Sequence, residues 1–144
     1  MTDLQALHDT THTMVMGVLN ITEDSFSDGG LWLDPAKAAQ HGRDMMAAGA
    51  DIIDIGAEST RPGAKRVSEA DELARITGAV KTLIPAGAVL SIDTTRASVA
   101  AAALSEAAQI INDVSGGTLD AELPHVVADH DCLYIVRSEE HTSE

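Results

Sequence analysis

Aromatic side chains and basic residues are both scarce in this sequence of 144 residues. Only Phe26, Trp32 and Tyr134 are aromatic, so the core must come from the small and aliphatic residues in a hydrophobic share of 44%. Such cores suit helices packed closely on sheets. Nine basic against 23 acidic residues give a net charge of -14, which opposes non-specific binding to nucleic acid. We therefore expect no nucleic-acid partner.

Cysteine and long apolar runs are also nearly absent, and both absences bear on location. The single Cys132 cannot form an internal disulfide, which predicts a reducing compartment. No apolar run approaches the roughly 18 residues of a membrane span, and residues 1–13 lack the apolar stretch of a signal peptide. We expect a cytoplasmic protein without a membrane partner, in which residues 1–13 form a polar extension.

Short apolar runs alternate with helical patterns along the chain. Five runs predict strands, at 14–20, 51–56, 89–93, 110–114 and 132–136. Helical patterns lie between them, at about 35–48, 68–85 and 96–108, with a shorter segment interrupted by Pro124. Regular alternation of this kind implies a parallel sheet with right-handed crossover connections.

Local signals mark the ends of the first two helices. Pro35 suits a first helical turn after Asp34 as N-cap, and Ser68 with Asp71 three residues later resembles a capping box. Gly49 is the expected stop of the first helix, and Gly87 lies at the expected end of the second.

The first four predicted strands each end in polar side chains, which are Asn20, Asp54 with Glu58, Asp93, and Asn112 with Asp113. In a parallel barrel all carboxyl ends of the strands lie on one face, so these groups would form a ring there. An open doubly wound sheet would collect them at one switch point instead. We predict a parallel (β/α)8 barrel of the TIM type. The chain would hold about five of its strands, because 144 residues fall short of the ~250 that a full barrel takes.

The stretch Asp51–Gly63 runs from an apolar strand into a loop with features of an anion site. Asp54 interrupts the strand, and a carboxylate in such surroundings needs a partner. Ser59 and Thr60 offer hydroxyl donors, and the guanidinium of Arg61 suits a carboxylate or a phosphate. No dinucleotide fingerprint or P-loop occurs, so ordinary dinucleotide or NTP binding is not indicated.

Four segments resemble, in order, the signature motifs of dihydropteroate synthases: Met16–Gly30, Asp54–Ala64, Ser91–Thr94 and Ile110–Val114. The resemblance implies a (β/α)8 barrel that joins para-aminobenzoate to 6-hydroxymethyl-7,8-dihydropterin diphosphate. The products would be pyrophosphate and 7,8-dihydropteroate, an intermediate of folate synthesis. A homodimer stays open for the full-length protein.

The resemblance also implies roles for residues at the strand ends. Asn20 would help to place Mg²⁺ and the diphosphate, since its amide oxygen is a hard, neutral ligand. Asp93 and Asn112 would recognise the edge of the pterin, because a carboxylate and an amide together match its donors and acceptors. Asp93 is also implied in catalysis.

Loop residues complete the implied site. Arg61 would act in catalysis and contact the diphosphate, and Thr60, Pro62 and Phe26 would shape the para-aminobenzoate pocket with it. Asp54, Glu58 and Ser59 are further candidates. A structural role stays open for Asp54, which could pair with Arg61 or with backbone donors, and for Glu58 and Asp113.

The last eight residues differ in character from the rest. After Val136 the sequence turns abruptly polar, and residues 137–144 resemble a translated sequencing-library adapter. We predict a partial pterin-binding domain at 14–136 and a non-native tail at 137–144. The Asp, Lys, Arg and His residues of the family's later strands would then be missing.

Two other functions stay open. The chain could be a non-catalytic truncated fragment, because missing strands would expose strand edges and the apolar barrel interior. It could also be a corrinoid-linked, pterin-binding methyltransferase. The Ser59–Gly63 loop argues against that reading, because methyl transfer from a folate has no diphosphate to bind.

Overall fold

The computed structural model describes residues 11, 13–22, 35–58 and 66–136. Strands and helices alternate through these ranges as the sequence predicts. In chain order they are β1 (Met16–Asn20), α1 (Pro35–Ala47), β2 (Ile52–Gly56), α2 (Glu69–Leu83), β3 (Leu90–Asp93), α3 (Ala97–Ser105), β4 (Ile110–Asp113), α4 (Leu123–Ala128) and β5 (Leu133–Val136). A short 3₁₀ turn, Ile84–Ala86, extends α2.

The strands form one parallel sheet in the order β1-β2-β3-β4-β5. A doubly wound sheet reverses its strand order at the switch point, whereas a barrel adds each new strand beside the last. Helix α1 packs on α2, α2 on α3 and α3 on α4, as in the outer layer of a barrel. The predicted incomplete barrel of about five strands is confirmed.

The two faces of the sheet differ in polarity. The helix-facing side is mostly buried and aliphatic, and its fully buried residues include Leu19, Ile53, Ile55, Leu90, Ile92 and Ile111. Burial of each such side chain stabilises the fold by roughly 1.5–3 kcal/mol. The opposite side, which faces the barrel interior, carries polar groups in its middle strands and the exposed Met16 and Val18 on β1.

Local sequence signals set several helix ends. The hydroxyl of Ser68 accepts a hydrogen bond from the backbone N–H of Asp71 at 3.1 Å, which confirms the predicted cap of α2. Gly87 ends the following turn with a φ of 89°, a conformation that suits glycine. Helix α1 begins at Pro35 as predicted, and its predicted cap Asp34 lies outside the described residues.

Two helix predictions were wrong in detail. Pro124 does not interrupt a helix, because it occupies the first turn of α4, where its missing N–H is not needed. Helix α3 ends at Ser105 instead of Ala108, and Ala107 follows with a φ of 82°. Among the described helices, none is both long and apolar enough to cross a bilayer.

Candidate functional site at the carboxyl ends of the strands

Four residues at the carboxyl ends of β1 to β4 form one row across the sheet. Asn20 pairs in register with Gly56, Gly56 with Asp93, and Asp93 with Asn112. Neighbouring positions in a sheet are roughly 4.8 Å apart and share a face, so these side chains are adjacent. We call these four residues the carboxyl-end row. The predicted convergence of Asn20, Asp93 and Asn112 is therefore seen.

Gly56 leaves an opening in the middle of this row. A Cβ atom at this position would lie 3.4 Å from Oδ1 of Asn20 and 3.5 Å from Oδ2 of Asp93. The amide of Asn20 and the carboxylate of Asp93 thus border the same small space. Any side chain in place of Gly56 would occupy it.

Asp54 lies two residues before Gly56 in β2, so its side chain is on the same face of the sheet as the carboxyl-end row. Its side chain is buried, and Oδ1 accepts hydrogen bonds from Ser91 Oγ at 2.7 Å and from Asn112 Nδ2 at 3.3 Å. The partner that the sequence requires for this carboxylate is thus provided by β3 and β4. Because Asp54 holds the amino end of the Asn112 amide, it also fixes where the amide oxygen lies.

That amide oxygen is unsatisfied. Within the described ranges, Oδ1 of Asn112 is the buried side-chain polar atom that has no hydrogen-bond partner, although the residue is only 6% exposed. An unmet buried acceptor costs about 1–3 kcal/mol, so it needs an explanation. A ligand with an N–H donor at this point would satisfy it.

Asp113, the next residue along β4, points to the helix-facing side. Its carboxylate accepts hydrogen bonds from the backbone N–H groups of Ser115 and Gly117, from Ser115 Oγ, and from Tyr134 Oη at 2.8 Å. Burial and the bond to Asp113 raise the pKa of Tyr134 to about 12. Of the two roles left open for Asp113, the contacts favour the structural one.

Glu58 links the two ends of the segment that follows β2. Its Oε2 accepts hydrogen bonds from the backbone N–H of Val67 at 3.0 Å and from Arg66 Nε at 3.2 Å. A catalytic role for Glu58 stays a prediction. The predicted site residues Phe26, Ser59, Thr60, Arg61 and Pro62 lie outside the described residues.

Sequence reasoning missed two parts of the site. Ser91 lies in an apolar strand, and only the register between β2 and β3 brings it to Asp54. The ion pair between Glu72 and Arg96, at 2.7 Å, joins residues 24 positions apart. Neither contact has a local signal in the sequence. Only the burial of Glu72, in the first turn of α2, indicates that this charge needs a partner.

The described residues offer few metal ligands. Within them, no group of three or more His, Cys, Asp or Glu side chains could hold an ion. Asn20 and Asp93 do place one amide oxygen and one carboxylate around the opening at Gly56. Mg²⁺ is commonly held by one or two oxygen ligands together with substrate phosphates and water, so the amide oxygen of Asn20 fits a phosphate-bound Mg²⁺.

Solved structures of dihydropteroate synthases share this fold. A dihydropteroate synthase from Clostridium difficile, solved in the presence of pteroic acid, superposes with a TM-score of 0.83 and 40% identity over 93% of this chain and 52% of its own. The Xanthomonas albilineans enzyme with 4-aminobenzoic acid gives 0.79 and 38% over 88% and 46%. Among sequences, the Mycobacterium leprae dihydropteroate synthase is 53% identical over 122 residues.

The sequence profile described as "Pterin binding enzyme" matches residues 16–144. The chain belongs to the pterin-binding enzyme family. The resemblance to dihydropteroate synthases, first noted in four motifs, is confirmed by these relatives. The matched region covers 85% of this chain but 43% of the M. leprae protein, so this chain spans less than half the length of that relative.

Proposed function

We propose that the full-length protein is a dihydropteroate synthase, to which this chain contributes the first strands of the barrel. The observation that carries the proposal is the carboxyl-end row with the unmet acceptor of Asn112 in it. A pterin edge presents N–H donors to such an acceptor. The carboxylate of Asp93, two positions from Asn20 in the row, would accept further donors from the same ring.

The reaction needs a stabilised leaving group more than an activated nucleophile. The bond between the pterin methylene carbon and the diphosphate oxygen breaks, and its electron pair leaves with the diphosphate. The amine nitrogen of para-aminobenzoate then forms the new carbon–nitrogen bond and loses a proton. Positive charge near the diphosphate and exclusion of water accelerate such a step. Arg61 is the residue of this chain that we assign to the leaving diphosphate.

Other residues of this chain are assigned to binding the pterin, para-aminobenzoate and Mg²⁺. Asp93 and Asn112 hold the pterin edge, and Asp54 orients the Asn112 amide. Thr60, Pro62 and Phe26, with Ser59 and Glu58 beside them, are assigned to the para-aminobenzoate side by the family motif. Asn20 would provide one oxygen ligand for Mg²⁺, and the ion would neutralise charge on the departing diphosphate.

A direct assay tests this function. The full-length protein, incubated with 6-hydroxymethyl-7,8-dihydropterin diphosphate, para-aminobenzoate and Mg²⁺, should release pyrophosphate and form dihydropteroate. Chelation of Mg²⁺ should abolish product formation, and its return should restore it. If methyl transfer from a folate occurs and no condensation is seen, the methyltransferase reading replaces this one.

The 144-residue chain alone is proposed to be inactive. The interior face of β1 is open, with Met16 36% and Val18 55% exposed, as expected where neighbouring strands are needed to cover it. In a strain that lacks its own synthase, we expect no growth rescue by residues 1–144. Rescue comparable to that by an intact synthase would contradict this part of the proposal.

We also propose a cellular location and an oligomeric state. The full-length protein is assigned to the cytoplasm, away from membranes, because Cys132 is a free thiol. Burial, together with the charge of Asp131, raises the pKa of that thiol and so limits its reactivity. A homodimer is expected from the family resemblance, and light scattering of the full-length protein would test it.

A further inference from the structure

The turn after β3 is bonded to the region where the segment 59–65 ends. Three consecutive residues follow Asp93, and each contacts that region or the start of α2. Thr94 Oγ1 donates to Glu72 Oε2 at 2.7 Å, Thr95 Oγ1 accepts from Arg66 Nη2 at 2.7 Å, and Arg96 Nη2 donates to the carbonyl of Val67 at 2.8 Å. The turn after β3 is therefore joined directly to Arg66, Val67 and the first turn of α2.

Arg96 makes the central connection. Its Nη1 donates to Glu72 Oε1 at 2.7 Å, while its Nη2 reaches the Val67 carbonyl. We call these two contacts the Arg96 bridge. The Glu72 side chain is only 1% exposed, and both of its oxygens accept hydrogen bonds. A carboxylate buried to this degree fixes its partner's position, because leaving it would strand an unpaired charge.

Glu58 completes the connection from the other end of the segment. By accepting from Val67 N and Arg66 Nε, its carboxylate holds the residue before position 59 against the two residues after position 65. Both ends of the segment are thus tied to each other. The Arg96 bridge then ties them to the turn that begins at Asp93.

We propose that Arg96 is a positioning residue that holds Arg66 and Val67 against the turn after Asp93, and that para-aminobenzoate binding depends on this hold. The inference rests on the proposed function, in which Asp93 binds the pterin and the segment 59–65 forms the para-aminobenzoate pocket. Two substrates that must react across one gap require both pockets in register. A misplacement of about 1 Å costs up to roughly a hundredfold in rate.

Arg96→Lys in the full-length protein separates positioning from folding. The lysine ammonium can still compensate the charge of Glu72, but it lacks the planar fork that reaches Glu72 and the Val67 carbonyl together. We expect the KM for para-aminobenzoate to rise about tenfold, and the KM for the pterin diphosphate to change by less than about threefold. Arg43→Lys, the same change on the outer surface of α1, should alter neither constant.

Other results of these experiments would contradict either the inference or the proposed function. A purely structural role would lower kcat through loss of active protein and leave both KM values unchanged, which would overturn the inference. If Arg96→Lys does not fold, Thr95→Val removes the Arg66 contact without touching the ion pair. It should raise the KM for para-aminobenzoate by a smaller factor, and no rise would again overturn the inference. An unsubstituted protein that forms no dihydropteroate would overturn the proposed function itself.

Discussion

Asp54 and Asp113 are both buried carboxylates in strands of the same sheet, but they lie on opposite faces of it. Asp113 is fully buried on the helix-facing side and accepts four hydrogen bonds from Ser115, Gly117 and Tyr134. Asp54 lies on the interior side and accepts two that the structure identifies, both on Oδ1. One of its donors, Asn112, has a carbonyl oxygen without a partner.

The difference separates a structural cluster from a binding cluster. Where every donor and acceptor is satisfied within the chain, as around Asp113, removal of the carboxylate disturbs the fold. Where an acceptor stays unmet beside an opening, as at Asn112, the missing donor is expected from a ligand. Four substitutions test this contrast, from the largest expected effect to the smallest.

Asp113→Ala should lower the free energy of unfolding by about 3 kcal/mol, because it leaves several donors without an acceptor. Urea denaturation of this chain measures the loss. Asp54→Ala is the matched control and should cost less than about 1.5 kcal/mol, since it leaves two donors without an acceptor instead of four. Equal losses for the two variants would remove the contrast.

Asp54→Ala should lower kcat/KM for the pterin diphosphate by about a hundredfold in the full-length protein. Among the described residues, Asp54 is the one that accepts a hydrogen bond from Nδ2 of Asn112. Without it the amide can rotate, so the proposed acceptor for the pterin loses its fixed orientation. Steady-state kinetics measure the effect, and Asp44→Ala on the exposed surface of α1 serves as control. Activity within twofold of the original would assign Asp54 to the fold alone.

Gly56→Ala should weaken pterin binding about tenfold with little change in stability. The added methyl group meets Asn20 and Asp93 at ordinary contact distances, so the protein can fold, but the space between them is filled. Calorimetry with a pterin ligand measures the binding. Gly78→Ala in α2, where a Cβ has no neighbour within 4 Å, should bind normally and be stabilised by about 1 kcal/mol.

Tyr134 should make stability depend on pH in the alkaline range. Its pKa is about 12 in the folded chain against an ordinary value of 10.0, so the unfolded chain loses the proton first as pH rises. The stabilising contribution is complete below about pH 10 and is lost progressively towards pH 12. In Tyr134→Phe this decline should be absent. Urea denaturation midpoints of both proteins, measured between pH 9 and 11.5, test this prediction. A midpoint of Tyr134→Phe that falls as steeply with pH as that of the original protein would contradict it.

Most of the fold could be predicted because its signals are local. Apolar runs such as Ile52–Gly56, the cap at Ser68 and the glycine at 87 act within a few residues, and each appears in the structure where expected. The alternation of strands and helices predicted a parallel sheet, and the polar residues at the strand ends predicted the barrel and hence its sequential strand order. The extent of α3 did not, because the break at Ala107 lies inside an alanine-rich stretch of high helix propensity.

The candidate site could be predicted only in part. Asn20, Asp93 and Asn112 were found because strand ends converge in any parallel barrel. Their partners depend on register and on long-range packing, which no local pattern encodes. The cap that Asp120 provides to α3 through Ala97 N, 23 positions away, illustrates this. That contact, with the backbone N–H of Glu122, also lowers the pKa of Asp120.

The sequential strand order also means that the order of the strands in the sheet matches their order of synthesis. The residues of the carboxyl-end row are therefore synthesised in the order in which they stand side by side in the sheet: Asn20, Gly56, Asp93 and Asn112. The hydrogen bond between Asn112 and Asp54 can form only after the fourth strand has been synthesised.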